Sequence, residues 1–259
     1  MKINNIMIIP DKDNIETSLA IAKDCGCGFE YNDFYIPALL DDEELLRDTI
    51  NFYKDIEELP EYCTCHGAFF DVTIFSDDAR IQEVSDYRVE QSLKIAEALG
   101  VKAIVFHTNY TPNFLQESYR RNWVERNYKY WSEKLEKYPK LNIYIENMFD
   151  TDWILISELA CRLKDKSNFG ICFDYAHACV FGDEHRIDEW VAGISRYVKH
   201  VHINDNDFKS DLHLALGDGC IDWHRFCRHY KDYFPNASVL IEMRGEDKIR
   251  KSLEYLRTL

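Results

Sequence analysis

Eight short apolar runs alternate with eight longer charge-rich segments along this chain, and few folds accommodate that rhythm. The runs are Asn5–Ile9, Cys27–Tyr31, Tyr62–His66, Val101–His107, Leu141–Glu146, Phe169–Phe173, Val198–Ile203 and Ser238–Glu242. They are rich in Val, Ile and Phe without clean polar alternation, as expected of parallel strands covered on both faces. The intervening segments read as amphipathic helices: Asp13–Asp24, Asp41–Glu58, Asp78–Leu99, Gln116–Tyr138, Asp152–Lys164, Arg186–Tyr197, Asp222–Tyr233 and Glu246–Leu256. Gly100 reads as a helix stop, and Asp152 and Asp222 as N-caps. Eight strand–helix units in 259 residues predict an α/β fold, a single-domain (β/α)8 TIM barrel spanning 1–259. A doubly wound open sheet usually carries a Gly-rich phosphate turn after its first strand. Here the first run ends in Pro10-Asp11-Lys12 instead.

Run after run ends in a side chain that can bind a metal. These are His66, His107, Glu146, Asp174, His202 (one residue before its run ends) and Glu242, with His177, Asp211 and His213 close behind. In a TIM barrel the C-terminal strand ends converge on one face, where catalytic groups sit. Imidazole mixed with carboxylate suits Zn, Mn or Fe, whereas all-oxygen sites suit Mg or Ca. Taken singly, each residue also has a structural reading: Asp174 as a helix cap, Glu242 as a partner of Arg244. Together they predict a bound divalent metal. The other four histidines, His185, His200, His224 and His229, read as surface, strand or loop residues.

The net charge of −15 argues against a nucleic-acid partner. No stretch approaches the roughly 18 apolar residues of a membrane span, and the N-terminus lacks a signal-peptide pattern. The expectation is a cytoplasmic protein, with a homo-oligomer left open. The nine cysteines include no C-x-x-C pair and read as reduced thiols packed as small apolar groups.

The segments CHGAFFD (65–71), VFHTNY (105–110), IENMFD (145–150), ICFDYAHA (171–178), HVHINDND (200–207) and DLHLALGDGCIDW (211–223) resemble the sugar phosphate isomerase/epimerase proteins. These belong to the xylose isomerase-like TIM-barrel superfamily, which also contains endonuclease IV-type enzymes. The resemblance runs from about Tyr62 to the C-terminus; upstream, GFEYND offers only Glu30 at the end of the second strand. It implies a metal core of Glu146, Asp174, His202 and Glu242. It implies a second site of His66, His107 and Glu146, and a third of His177, Asp211 and His213, as in the trinuclear endonucleases. In the epimerases the residues matching Glu146 and Glu242 are an acid/base pair, and the one matching His177 contacts substrate.

Two departures stand out. Several ketose epimerases carry an Arg six positions after the strand-seven His, where this chain has Phe208 followed by Lys209. Tyr31–Asp42 holds acids and aromatics and no Lys or Arg, unlike a DNA-tracking loop. Arg120, Arg121, Arg126 and Lys129, among aromatics, offer a phosphate or base-stacking site or simply a helix surface. Gly217-Asp218-Gly219 reads mainly as a tight turn, and Phe69, Phe70 and Trp223 as sugar-stacking walls or core. The expected activity is metal-dependent isomerisation or epimerisation of a sugar or sugar phosphate, with Zn or Mn (one to three ions). Multinuclear phosphodiester hydrolysis and a non-catalytic ligand-binding barrel are the alternatives.

Overall fold

The computed structural model describes residues 3, 5–69 and 72–259. Eight parallel strands close into a barrel in chain order: β1 (Ile6–Ile8), β2 (Gly28–Tyr31), β3 (Cys63–His66), β4 (Ala103–His107), β5 (Asn142–Glu146), β6 (Phe169–Asp174), β7 (Val198–Ile203) and β8 (Ser238–Ile241), which pairs back onto β1. The helices are α1 (Ile15–Cys25), α2 (Pro37–Leu40), α3 (Glu43–Lys54), α4 (Ala79–Leu99), α5 (Glu117–Lys137), α6 (Ile154–Leu163), α7 (Tyr175–Phe181), α8 (Ile187–Ile194), α9 (Trp223–Tyr233) and α10 (Glu246–Thr258). The fold is the expected TIM barrel. Short α2 and α7 are additions within the loops after β2 and β6, where single apolar turns carry too little periodic signal to be read as helices.

Local chemistry sets the boundaries. Asp42 accepts from the amides of Glu44 and Leu45 and starts α3 at Glu43, later than the expected Asp41. Asp78 and Asp222 cap α4 and α9 through their side chains. Gly100 ends α4 in the left-handed region at φ 68°, which glycine adopts without a Cβ penalty. Asp152 accepts from Ile154 N at 2.9 Å, although the N-cap position itself is Trp153.

Successive strand residues point to opposite faces, and this divides the core into two layers. Ile8, Phe29, Ile104, Phe106, Ile143, Ile145, Ile171, Phe173, Val201 and Val239 pack outward beneath the helices. The alternate residues fill the lumen, including Met7, Ile9 and Leu240 and Ala103, Val105, Tyr144 and Cys172. His66, His107, Glu146, Asp174, His202 and Glu242 all share the lumen parity, so they stack in one layer at its mouth. One irregularity completes the layer: Ile171 pairs with Val198 but Cys172 pairs with His200. The skipped Lys199 is a β-bulge residue, and it brings His202 level with Asp174.

Trp223 is not a cavity wall. It is buried, and its indole N–H donates to Asp205 at 2.9 Å. The Asp205 carboxylate also accepts from the amides of Gly217 and Ile221, so Gly217–Gly219 is a turn wrapped on a buried acid. Phe70 lies outside the described residues. Among the described residues, no helix is long and apolar enough to cross a membrane.

Candidate metal centre

The sequence-predicted residues come together in three groups. Donor atoms of Glu146, Asp174, His202 and Glu242 lie within 4.8 Å of one another, as do those of His66, His107 and Glu146, and those of His177, Asp211 and His213. Glu146 belongs to two groups and ties them together. Glu146, Asp174 and His202 are wholly buried. Glu242 lies just past β8, its amide donating to Ile203 O at 2.9 Å, and its side chain faces His202 Nδ1 at 3.6 Å. It does not pair with Arg244, whose guanidinium donates to Asn32 O at 3.0 Å.

Three of the histidines are held through one ring nitrogen by a backbone carbonyl. His66 Nδ1 meets Gly67 O at 2.9 Å, His177 Nδ1 meets Asn147 O at 3.0 Å, and His213 Nδ1 meets Glu242 O at 2.7 Å. His202 instead faces a buried acid from above, with Nε2 3.1 Å from Glu30 Oε1. Donating one ring nitrogen leaves the other as a lone pair aimed inward, as ligating histidines are oriented. His213 does so from a left-handed backbone, φ 46°, a conformation that costs a non-glycine residue of order 1 kcal/mol and concentrates at functional sites. Asp174 also caps α7 through His177 N at 2.6 Å, as its capping reading expects, while its other oxygen stays in the donor group. Asn147 clamps it in place, exchanging bonds of 2.8 and 3.0 Å with its backbone.

The electrostatics follow from crowding acids out of water. Burial alone raises the Glu146 carboxyl, but the rings of His202 and His107 outweigh it and hold it well below the usual range. Glu242 is likewise brought down to about 2, where His202 overcomes burial. Asp174 goes the other way: burial, with Glu242 and Glu146 nearby, keeps it well above. For His213, Asp211 overcomes the effect of burial and lifts the ring to about 9. Both oxygens of Glu146, one each of Asp174, Asp211 and Glu242, and both ring nitrogens of His202 are buried without a hydrogen-bond partner in the protein. Buried polar atoms are nearly always satisfied. Orphaned anionic and imidazole donors aimed at common points fit a divalent cation, which favours ionised carboxylates and neutral rings.

A cavity of about 470 Å3 opens above the donors. His66, His107, His177, Asp211, His213 and Glu242 form its floor and sides, and Phe69 and Tyr35 form an aromatic wall, their rings 4.6 Å apart. Phe208 and Lys209 are not among its lining residues. Asn32, Tyr35, Arg244 and Lys248 also line it, and nothing in the sequence points to them; they sit on loops or at a helix start with no periodic signature. Glu30 is legible at a strand end, but its role beneath His202 is not. His200, read as a plain strand residue, is wholly buried and shares that carboxylate at 3.2 Å. Arg120, Arg121 and Arg126 are occupied elsewhere by Asp152, Glu117 and Asp77.

The sequence matches the profile of a family described as Xylose isomerase-like TIM barrel over residues 14–259. It is 27% identical over 199 residues to the uncharacterized protein MJ1311 of Methanocaldococcus jannaschii, covering 74% of this chain and 68% of that one. It is 23% identical over 220 residues to the probable endonuclease 4 of Campylobacter curvus, covering 77% and 76%. Among solved structures it is similar to the TTHB071 protein of Thermus thermophilus, solved after soaking with ZnCl2 (TM-score 0.73, 23% identity, 98% and 97% of the two chains). It is also similar to a D-tagatose 3-epimerase-like protein (TM-score 0.75, 21% identity, 97% and 96%).

Proposed function

This chain belongs to the xylose isomerase-like TIM-barrel family, and from that membership and the geometry above we propose that it is a metal-dependent isomerase or epimerase of a sugar or sugar phosphate. The observation that carries the reading is the set of inward-facing donors, anchored from behind, beneath a cavity sized for a small molecule. Glu146, Asp174, His202 and Glu242 are the core ligands. His66 and His107 with Glu146, and His177, Asp211 and His213, are the outer ones. The mixed nitrogen and oxygen set suits Zn or Mn, one to three ions. A divalent ion held there supplies Lewis acidity, polarising a carbonyl or hydroxyl of the substrate.

The chain's own residues supply the proton chemistry. Glu242 stands in the cavity wall, and Glu146, wholly buried, belongs to the same donor group. Both carboxyls are held low, so both are ionised at neutral pH. One takes up the proton next to the carbonyl, and the other returns to that carbon a proton it has first taken from water in the cavity. His177, in the cavity side with Nδ1 fixed by Asn147 O, contacts the substrate.

A second reading, multinuclear phosphodiester hydrolysis, is favoured by the third donor group of His177, Asp211 and His213. Metal content per chain and turnover on a ketose panel and on abasic-site DNA separate the two. We expect Glu146→Gln and Glu242→Gln each to abolish ketose turnover with the fold intact. Normal turnover in either variant refutes the acid/base assignment. Two or three tightly held metals with DNA cleavage select the hydrolase.

A further inference from the structure

We propose that Arg244 and Lys248 form an anion-binding rim on one side of the cavity, so that the substrate carries a phosphate or carboxylate at the end remote from the reacting carbon. The inference deepens the reading of the cavity as a small-molecule site and rests on it for the word substrate. The rim itself is independent of the reaction.

The lining of the cavity is unevenly charged. Its floor and one side are carboxylates and imidazoles, while among the described residues its only Lys or Arg side chains are Arg244 and Lys248. Both come from one short stretch: Arg244 lies two residues beyond Glu242, and Lys248 lies in the first turn of α10. Gly245, at φ 100°, turns the chain between them, so residues four apart face the same opening. Among the described residues Lys248 has no ion pair, and Arg244 has one long one. Arg244 spends one nitrogen on Asn32 O at 3.0 Å and stands 4.0 Å from Asp33, whose other oxygen accepts from Tyr53. Lys248 donates to the backbone carbonyl of His213 at 3.2 Å. The acids of the same turn point elsewhere: Glu246 pairs with Arg250 at 2.8 Å, and neither Glu246 nor Asp247 lines the cavity.

In a chain of net charge −15, two cations gathered over a bed of acids oppose the field that would repel an anionic ligand. A guanidinium fork beside an ammonium matches a phosphate or carboxylate. Asn32 lines the same side, with its Oδ1 buried and without a partner, and offers an acceptor for a hydroxyl between the two ends. A bound molecule would thus lie with its hydroxylated carbons over Glu242 and its charged end at the rim.

The test is calorimetric titration of the full chain loaded with Zn. The probes are fructose, fructose 6-phosphate, gluconate and inorganic phosphate. The proteins are the wild type, the Arg244→Met/Lys248→Met double variant and the remote surface control Lys23→Met. We expect one charged probe to bind the wild type at least about tenfold more tightly than fructose. That advantage should fall below about threefold in the double variant and persist in Lys23→Met, with metal content unchanged in all three. The phosphate and carboxylate probes identify the charged group. Equal binding of charged and neutral probes to the wild type, survival of the gap in the double variant, or no binding of any anion overturns the rim. If phosphate binding depends on the two cations but no ketose is turned over, the rim stands and the isomerase reading falls. If a neutral ketose is turned over without anion preference, the reverse holds.

Discussion

Replacing Glu30 with Gln tests whether a carboxylate buried under the centre governs metal affinity above it. Glu30 is wholly buried in the lumen. Its Oε1 lies 3.1 Å from His202 Nε2, while its Oε2 takes the Thr64 hydroxyl at 2.6 Å and lies 3.2 Å from His200 Nε2. A carboxylate at the first distance favours a proton on Nε2, so that Nδ1, 3.3 Å from Glu146, is the nitrogen left to face a cation. A glutamine retains one acceptor, so either His202 or the Thr64–His200 side meets an N–H. If His202 meets it, the favoured tautomer protonates Nδ1, and the ring no longer offers an inward lone pair. Losing such an orienting partner typically weakens metal binding 10–100-fold, about 1.4–2.7 kcal/mol. Zn affinity measured by competition with a chromophoric chelator, alongside the melting temperature of the metal-free protein, reads the two effects separately. Thr64→Val, which leaves the Oε1 contact in place, should change affinity less than about threefold. Wild-type Zn affinity in both Glu30→Gln and Glu30→Leu, the second of which offers His202 no acceptor in either orientation, would refute the orienting role whatever the melting temperatures.

Three further outcomes are expected. Zn at about 100 times its Kd should stabilise the fold by about 2.7 kcal/mol, raising Tm by roughly 5–10 °C; an unchanged Tm with both Zn and Mn argues against a preformed metal centre. Glu90 joins α4 to α5 through Lys134 at 2.5 Å and Lys137 at 2.6 Å, which overcome burial and lower its carboxyl from 4.5 to about 2. A depressed acid stabilises above its ordinary value and loses that contribution as pH falls from 4.5 towards 2. Glu90→Gln should therefore cost up to about 3 kcal/mol at pH 7, with the gap from wild type closing across that window; a pH-independent gap in urea unfolding contradicts this. A methyl at Gly219 would overlap the Asp205 carboxylate and the Asn206 backbone. Gly219→Ala should lower stability by about 2–4 kcal/mol, and a loss under about 0.5 kcal/mol in urea unfolding would mean the turn relaxes freely.

Much of this fold is written locally. Eight apolar runs with eight amphipathic partners suffice for the barrel, because each unit states its own period and the closed arrangement is the economical way to cover all the strands. The donor residues are equally legible: His66, His107, Glu146, Asp174, His202 and Glu242 end their runs or nearly so, and strand parity sends them all into the lumen. What the sequence could not supply is whatever depends on register and loop path. The bulge at Lys199 that levels His202 with Asp174 is a property of two strands together. Glu30 meets His202 across the lumen from strands far apart in the chain, and sequence distance says nothing of that contact. Arg244, Lys248, Asn32 and Tyr35 become cavity residues only because closing the barrel brings the segments after β8 and β2 to the same rim. The sequence by itself determined which chemistry-bearing side chains the barrel gathers. Only the tertiary structure decided what holds those donors in aim and which charges surround the space above them, because those contacts form only when the barrel closes.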